Sequence, residues 1–139
     1  MSTELRAFKR DNGQWGLRNH VLIMPLHSAL SSTARAIADG SNGAVAISHD
    51  WSGEVDNDLS RIIVTLSGYA ANPNNFAVLF LTVGSNQENE IIAGAASLGL
   101  KRFSNLALAE IGSMEGLQIK AIELANNYCV QASKEERVP

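Results

Sequence analysis

The sequence predicts an α/β fold: a three-layer sandwich built on a four-stranded parallel sheet of order 2-1-3-4, with helices on both faces. Three observations predict it. First, a short apolar run, a small-residue turn and a stretch of 3.6-residue periodicity recur in that order along the chain. Second, the first and third apolar runs are continuous rather than alternating, as expected of strands covered on both sides. Third, strands and helices alternate with short connections, so successive strands are joined by right-handed crossovers and lie parallel.

The elements follow in chain order. "HVLIMPL" (20–26) reads as the first strand, and Leu30, Thr33, Ala34, Ile37 and Ala38 mark one face of the helix after it. "GAVAIS" (43–48) reads as the second strand, followed by the stripe Val55, Leu59, Ile62, Ile63 and Leu66. "FAVLFLTV" (76–83) is the third strand, with Ile91, Ile92, Ala95 and Ala96 behind it. "FSNLALAE" (103–110) is the fourth, leading to Met114, Leu117, Ala121, Leu124 and Tyr128. Residues 1–19 stand outside the repeat. Their Asn12-Gly13 pair suggests a hairpin or extended arm. Residues 20–130 form the α/β domain, and the charged tail 131–139 reads as a linker.

Composition narrows the functional classes. The chain has 139 residues, enough for one ordinary domain. Its net charge is −3, and its basic residues cluster no further than Lys9-Arg10 and Lys101-Arg102. Nucleic acid is therefore not an expected partner, because phosphate-backbone binding needs a concentrated positive face. No apolar run approaches a membrane span and no apolar leader opens the chain, so a cytoplasmic location is expected. Cys129 is the single cysteine, which excludes an intrachain disulfide, and no Cys/His group has zinc spacing.

Ligands of an open parallel sheet bind at the carboxyl ends of its strands. The residues leaving those ends are His27 and Ser28, then Ser48, His49 and Ser52, then Ser85 and Asn86 behind Gly84. Glu110 follows the fourth strand. Helix N-termini aimed at the same edge would favour an anion, with Arg18 as a permanent cation if the arm folds over it. Each group also has a plainer role. Ser85-Asn86-Gln87-Glu88 fits a capping box. Asp50, Glu54, Asp56 and Asp58 suit the first turns of a helix, where acids offset the macrodipole, and call for no metal. Two histidines and one acid are a common chance pattern, so no metal ligand is assigned. No Gly-x-Ser-x-Gly elbow accompanies the serines, which argues against acyl transfer. Gly84 lacks the companions of a nucleotide-binding loop. His20 and Cys129 read as structural.

A family resemblance is carried by three stretches: "FKRDNGQWGLRNHVLIMP", "GAVAISHDWSG" and "SGYAANPNNFAVLFLTVGSNQEN" occur in an order that resembles the second domain of altronate and galactarate dehydratases. That family also includes sulfolactate sulfo-lyases. The likeness covers about residues 7 to 139 and rests on Gly16-Leu17-Arg18-Asn19, Ser48-His49 and the Asn-Pro-Asn phrase that runs to Gly84. It implies a hydro-lyase, one that removes water or sulfite from a hydroxylated carboxylate with iron(II) or another divalent metal. It further implies cysteines after the first three strands, at positions occupied here by Ala29, Gly53 and Ser85, and an acid where Asn86 stands. The chain itself is therefore expected to hold no cofactor.

Two functions follow. One is a domain or subunit of a sugar-acid dehydratase or related hydroxy-acid lyase, inactive alone and completed by a C-terminal lyase domain or a partner subunit. The other is a non-catalytic α/β module that binds a small carboxylate or mediates assembly. In both, the expected contact with a small hydroxy-carboxylate is through Arg18, Asn19, His27, Ser28, Ser48, His49, Ser52, Ser85 and Asn86.

Overall fold

The computed structural model describes residues 6–41, 43–49 and 59–137. A two-stranded antiparallel hairpin comes first: β1 (Phe8–Lys9) pairs with β2 (Trp15–Gly16). Its turn carries Gly13 at φ 87°, a conformation that costs glycine nothing. The domain follows as β3 (His20–Pro25), a 3-10 turn (Ser28–Leu30), α1 (Ser31–Asp39), β4 (Ala44–Ala46), α2 (Leu59–Ala70), β5 (Asn75–Thr82), α3 (Asn86–Ser97), β6 (Phe103–Ala107), the single turn α4 (Leu108–Ile111) and α5 (Met114–Ser133). The four strands of the main sheet are parallel in the order β4-β3-β5-β6, which is the expected 2-1-3-4.

Alternate residues of the central strands define the two faces. Leu22, Met24, Val78 and Phe80 pack under Leu66 and Ala70 of α2 and Ile91 and Ala95 of α3. Ile23, Leu79, Leu81 and Leu106 pack under Ala34 and Ile37 of α1 and Leu117, Ala121 and Ala125 of α5. All eight residues of β5 are buried, which explains why its sequence shows no alternation. Helices α2 and α3 approach closely at Gly94, where a Cβ would come within 2.5 Å of Ser67 Oγ. Cys129 is a packing residue beside Val21, and burial raises its thiol pKa.

Several boundaries differ from the sequence reading. The first strand ends at Pro25 rather than 26, and the third runs Asn75–Thr82 rather than 76–83. The second strand pairs only over Ala44–Ala46, not 43–48. The fourth strand ends at Ala107 rather than at 110, because its neighbour β5 ends at Thr82, the partner of Ala107. Leu108–Ile111 then form a helical turn closed by Gly112 at φ 91°, so Glu110 lies on that turn. The last helix runs to Ser133, past residue 130, and the chain beyond it stays in contact: Glu135 lies 3.8 Å from Arg10, and Arg137 sits over the Phe8 ring at 5.0 Å. Val55 and the acids at 50, 54, 56 and 58 lie outside the described residues. Among the described residues no helix is long and apolar enough to cross a membrane.

Candidate functional site

Parallel pairing of β3 with β5 brings two of the three candidate turns side by side. Leu26 N donates to Leu81 O at 2.9 Å, so His27 and Ser28 emerge next to Val83, Gly84 and Ser85. On the other side of β3, Ile47 N donates to Ile23 O at 3.4 Å, and the chain continues to Ser48 and His49. The His49 ring folds back over β3, with Nε2 2.6 Å from the Pro25 carbonyl oxygen. A carbonyl only accepts, so Nε2 carries the hydrogen. His27 has the same tautomer. Its Nδ1 accepts from Ala29 N at 3.0 Å, which leaves Nε2 as the donor nitrogen of the neutral ring. Ser48 is exposed and Ser28 partly buried. His27, Ser28, Ser48, His49, Ser85 and Asn86 thus share the carboxyl edge. Ser52 lies outside the described residues.

Arg18 and Asn19 do not join them. They precede β3, at the amino edge, and the six-residue strand separates the two edges by roughly 20 Å. The arm folds across that amino edge. Asn74 Oδ1 accepts from Leu17 N at 2.9 Å and from Arg18 N at 3.1 Å. Asn19 Nδ2 donates to Ala132 O at 2.9 Å. Gly16 lies against the Pro73 carbonyl with no room for a Cβ. The Gly-x-Arg-Asn and Asn-Pro-Asn phrases are therefore two halves of one structural latch. The residue that closes it, Arg10, was not among the candidates. Its guanidinium donates to Pro73 O at 2.6 Å, Arg18 O at 2.7 Å and Asn19 Oδ1 at 2.9 Å. The sequence signal was a basic residue in an arm opposite a proline turn whose carbonyl needs a donor.

The Gly84 turn grips a carboxylate, and the carboxylate is the chain's own. Glu88 is 1% exposed. It accepts from Val83 N at 2.8 Å, Gly84 N at 3.0 Å, Ser85 N at 2.7 Å and Ser85 Oγ at 2.8 Å. Ser85 caps α3 in return, accepting from Glu88 N at 3.3 Å. The capping box accounts for the Ser85 pair. The two further amides reach the carboxylate because Gly84 adopts φ 117°. The backbone donors that could hold a substrate anion at this turn are engaged by Glu88.

The resemblance implies a divalent metal, and among the described residues the donors at this edge do not fit one. Ser85 Oγ donates to Glu88, and Glu88 is enclosed by four donors. His27 Nδ1 accepts an amide hydrogen, and His49 Nε2 faces a carbonyl. Among the described residues no three His, Cys, Asp or Glu side chains are gathered for an ion. Ala29 and Ser85, two of the positions where the resemblance places thiols, lie at this edge. Gly53 lies outside the described residues.

In an open parallel α/β sheet, ligands bind at the carboxyl ends of the strands, the edge that carries these histidines and hydroxyls. The chain matches the family described as D-galactarate dehydratase/Altronate hydrolase, second domain, over residues 7–133, and it belongs to that family. Two relatives are similar to it. The (2R)-sulfolactate sulfo-lyase subunit beta of Chromohalobacter salexigens is 30% identical over 94 residues, covering 67% of this chain and 24% of the relative. The altronate dehydratase of Escherichia coli K12 is 27% identical over 107 residues, covering 69% of this chain and 21% of the relative. The chain thus spans about a quarter of the length of these relatives. No solved structure matches.

Proposed function

We propose that this chain is one domain of a cytoplasmic hydroxy-acid lyase of sugar-acid metabolism, presenting part of the substrate edge to a partner domain or subunit that supplies the rest. The observation that carries this reading is the pairing at the carboxyl edge of two oriented histidines with an anion cradle already filled from within. His27 Nε2–H, Ser28 and Ser48 are hydrogen-bond donors suited to the carboxylate and hydroxyls of an acid substrate. Water loss from such an acid also needs a base at the carbon alpha to the carboxylate and stabilisation of the charge that develops there. With Glu88 occupying the amides of residues 83–85, that stabilisation falls to the partner, together with any divalent metal the reaction requires. Iron(II), when bound by the partner, would polarise the substrate oxygens.

The chain alone is therefore expected to give no product from altronate, galactarate or sulfolactate, with or without iron(II). Product should appear only when a family polypeptide carrying the remaining domains is added, and His49→Ala in the present chain should then lower the rate. Turnover by the isolated chain would overturn the proposal. The filled cradle also favours a second reading, a binding module without catalysis. In that case the completed mixture stays silent while a small carboxylate still binds.

A further inference from the structure

The two adjacent basic pairs of the sequence, Lys9-Arg10 and Lys101-Arg102, are separated by 90 intervening residues and line one cleft in the fold. The cleft is at the amino edge of the sheet, opposite the histidines. Its walls are the hairpin turn, the segment from Ala71 to Phe76, the loop Gly99–Arg102 and Glu135. Against its four cations stand two acids, Asp11 and Glu135, so the lining is net positive in a chain of net charge −3.

The hairpin turn and the two arginines are held there by fixed contacts. Asn12 Nδ2 ties the hairpin turn to Gly99 O at 2.9 Å. Arg102 is stacked over the buried Phe76 ring at 4.0 Å. Arg10 is fixed by its three oxygen acceptors. Compensation of their charge is incomplete. Asp11 comes no closer than 3.6 Å to Arg102, and Glu135 no closer than 3.8 Å to Arg10, both beyond hydrogen-bond distance. Burial lowers the Arg10 pKa, Glu135 raises it, and the nearby Arg102 lowers it further. Lys9 rests over the Trp15 ring at 5.9 Å, and Lys101 Nζ lies 3.4 Å from the Asp11 carbonyl oxygen.

We propose that this cleft binds a compact phosphate-type dianion, either free phosphate or the head of a small phosphomonoester, through Lys9, Lys101 and Arg102. Arg10 adds charge and holds the wall in place. A dianion matches the excess positive charge and completes the hydrogen bonding that Asp11 and Glu135 leave unmade. The site lies across the sheet from the substrate edge, so it is independent of the catalytic reading.

The test is an NMR titration of the 139-residue chain with sodium phosphate and, separately, glycerol 1-phosphate, against sodium chloride at matched ionic strength. Saturable shifts at the amides of Asn12, Lys101 and Arg102 are expected with the phosphates and not with chloride. Lys101→Gln and Lys9→Gln should each weaken binding about tenfold, or about 1.4 kcal/mol, and Lys120→Gln on α5 should not. Because Arg102 also supports Phe76, the two surface lysine variants carry the test, with an unchanged melting temperature as their control. Tighter binding of the ester than of free phosphate identifies a phosphomonoester as the ligand, and the reverse identifies phosphate itself. Shifts that follow ionic strength regardless of anion, or that persist unchanged in Lys101→Gln, would overturn the proposal.

Discussion

Glu88→Ala is expected to lower the unfolding free energy by about 3 kcal/mol, measured by urea denaturation. The side chain is buried, and its carboxylate accepts four hydrogen bonds from Val83, Gly84 and Ser85. Hydrogen bonds to a charged group contribute about 1.5–3 kcal/mol each, but they are not additive, and water recovers part of the loss once the carboxylate is gone. Glu88→Gln should cost about 2 kcal/mol, since its amide group turns a donor toward backbone donors. The cradle remains in the alanine variant. Acetate at tens of millimolar should therefore raise the melting temperature of Glu88→Ala more than that of the parent chain. A loss below about 1 kcal/mol would mean that the four contacts do not hold the turn.

Arg10→Ala should be the second large effect, about 3 kcal/mol, with detachment of the arm from the amino edge. Its side chain is 9% exposed and serves three oxygen acceptors, including the Pro73 and Arg18 carbonyls. Removing it leaves those carbonyls without their donor beside Glu135. Arg10→Lys keeps the charge but not the planar fork, so it should recover less than half of the loss. Hydrogen exchange checks the mechanism. Amides of Leu17 and Arg18, held by Asn74, should lose protection in Arg10→Ala, while those of β5 keep theirs relative to global unfolding. Equal protection of the arm in parent and variant would contradict the latch.

The layered fold was legible because its signal is local and repeated. Continuous apolar runs such as Leu22–Met24 and Phe76–Leu81 report burial on both faces, and right-handed crossovers place helices on both sides of the sheet. What was not legible depends on pairing at a distance. Leu108 and Ala109 suit a strand by composition, but β5 had already ended, so nothing remained for them to pair with. Arg18 and Asn19 read as functional because polar residues in a turn-rich arm carry no sign of which edge the arm crosses. Their Asn74 and Ala132 partners lie 56 and 113 residues away. The Ser85–Glu88 capping box was readable from its spacing. The added reach of the carboxylate to Val83 N and Gly84 N was not, because it depends on the backbone angle of Gly84.

The most direct measurement is an amide-resolved NMR titration of the chain with a hydroxy acid such as galactarate, following both turns of the carboxyl edge in one experiment. The account predicts shifts at His27, Ser28, Ser48 and His49, with the Val83, Gly84 and Ser85 amides unmoved because Glu88 holds them. Shifts centred on Val83–Ser85, or an edge that does not respond at all, would contradict it.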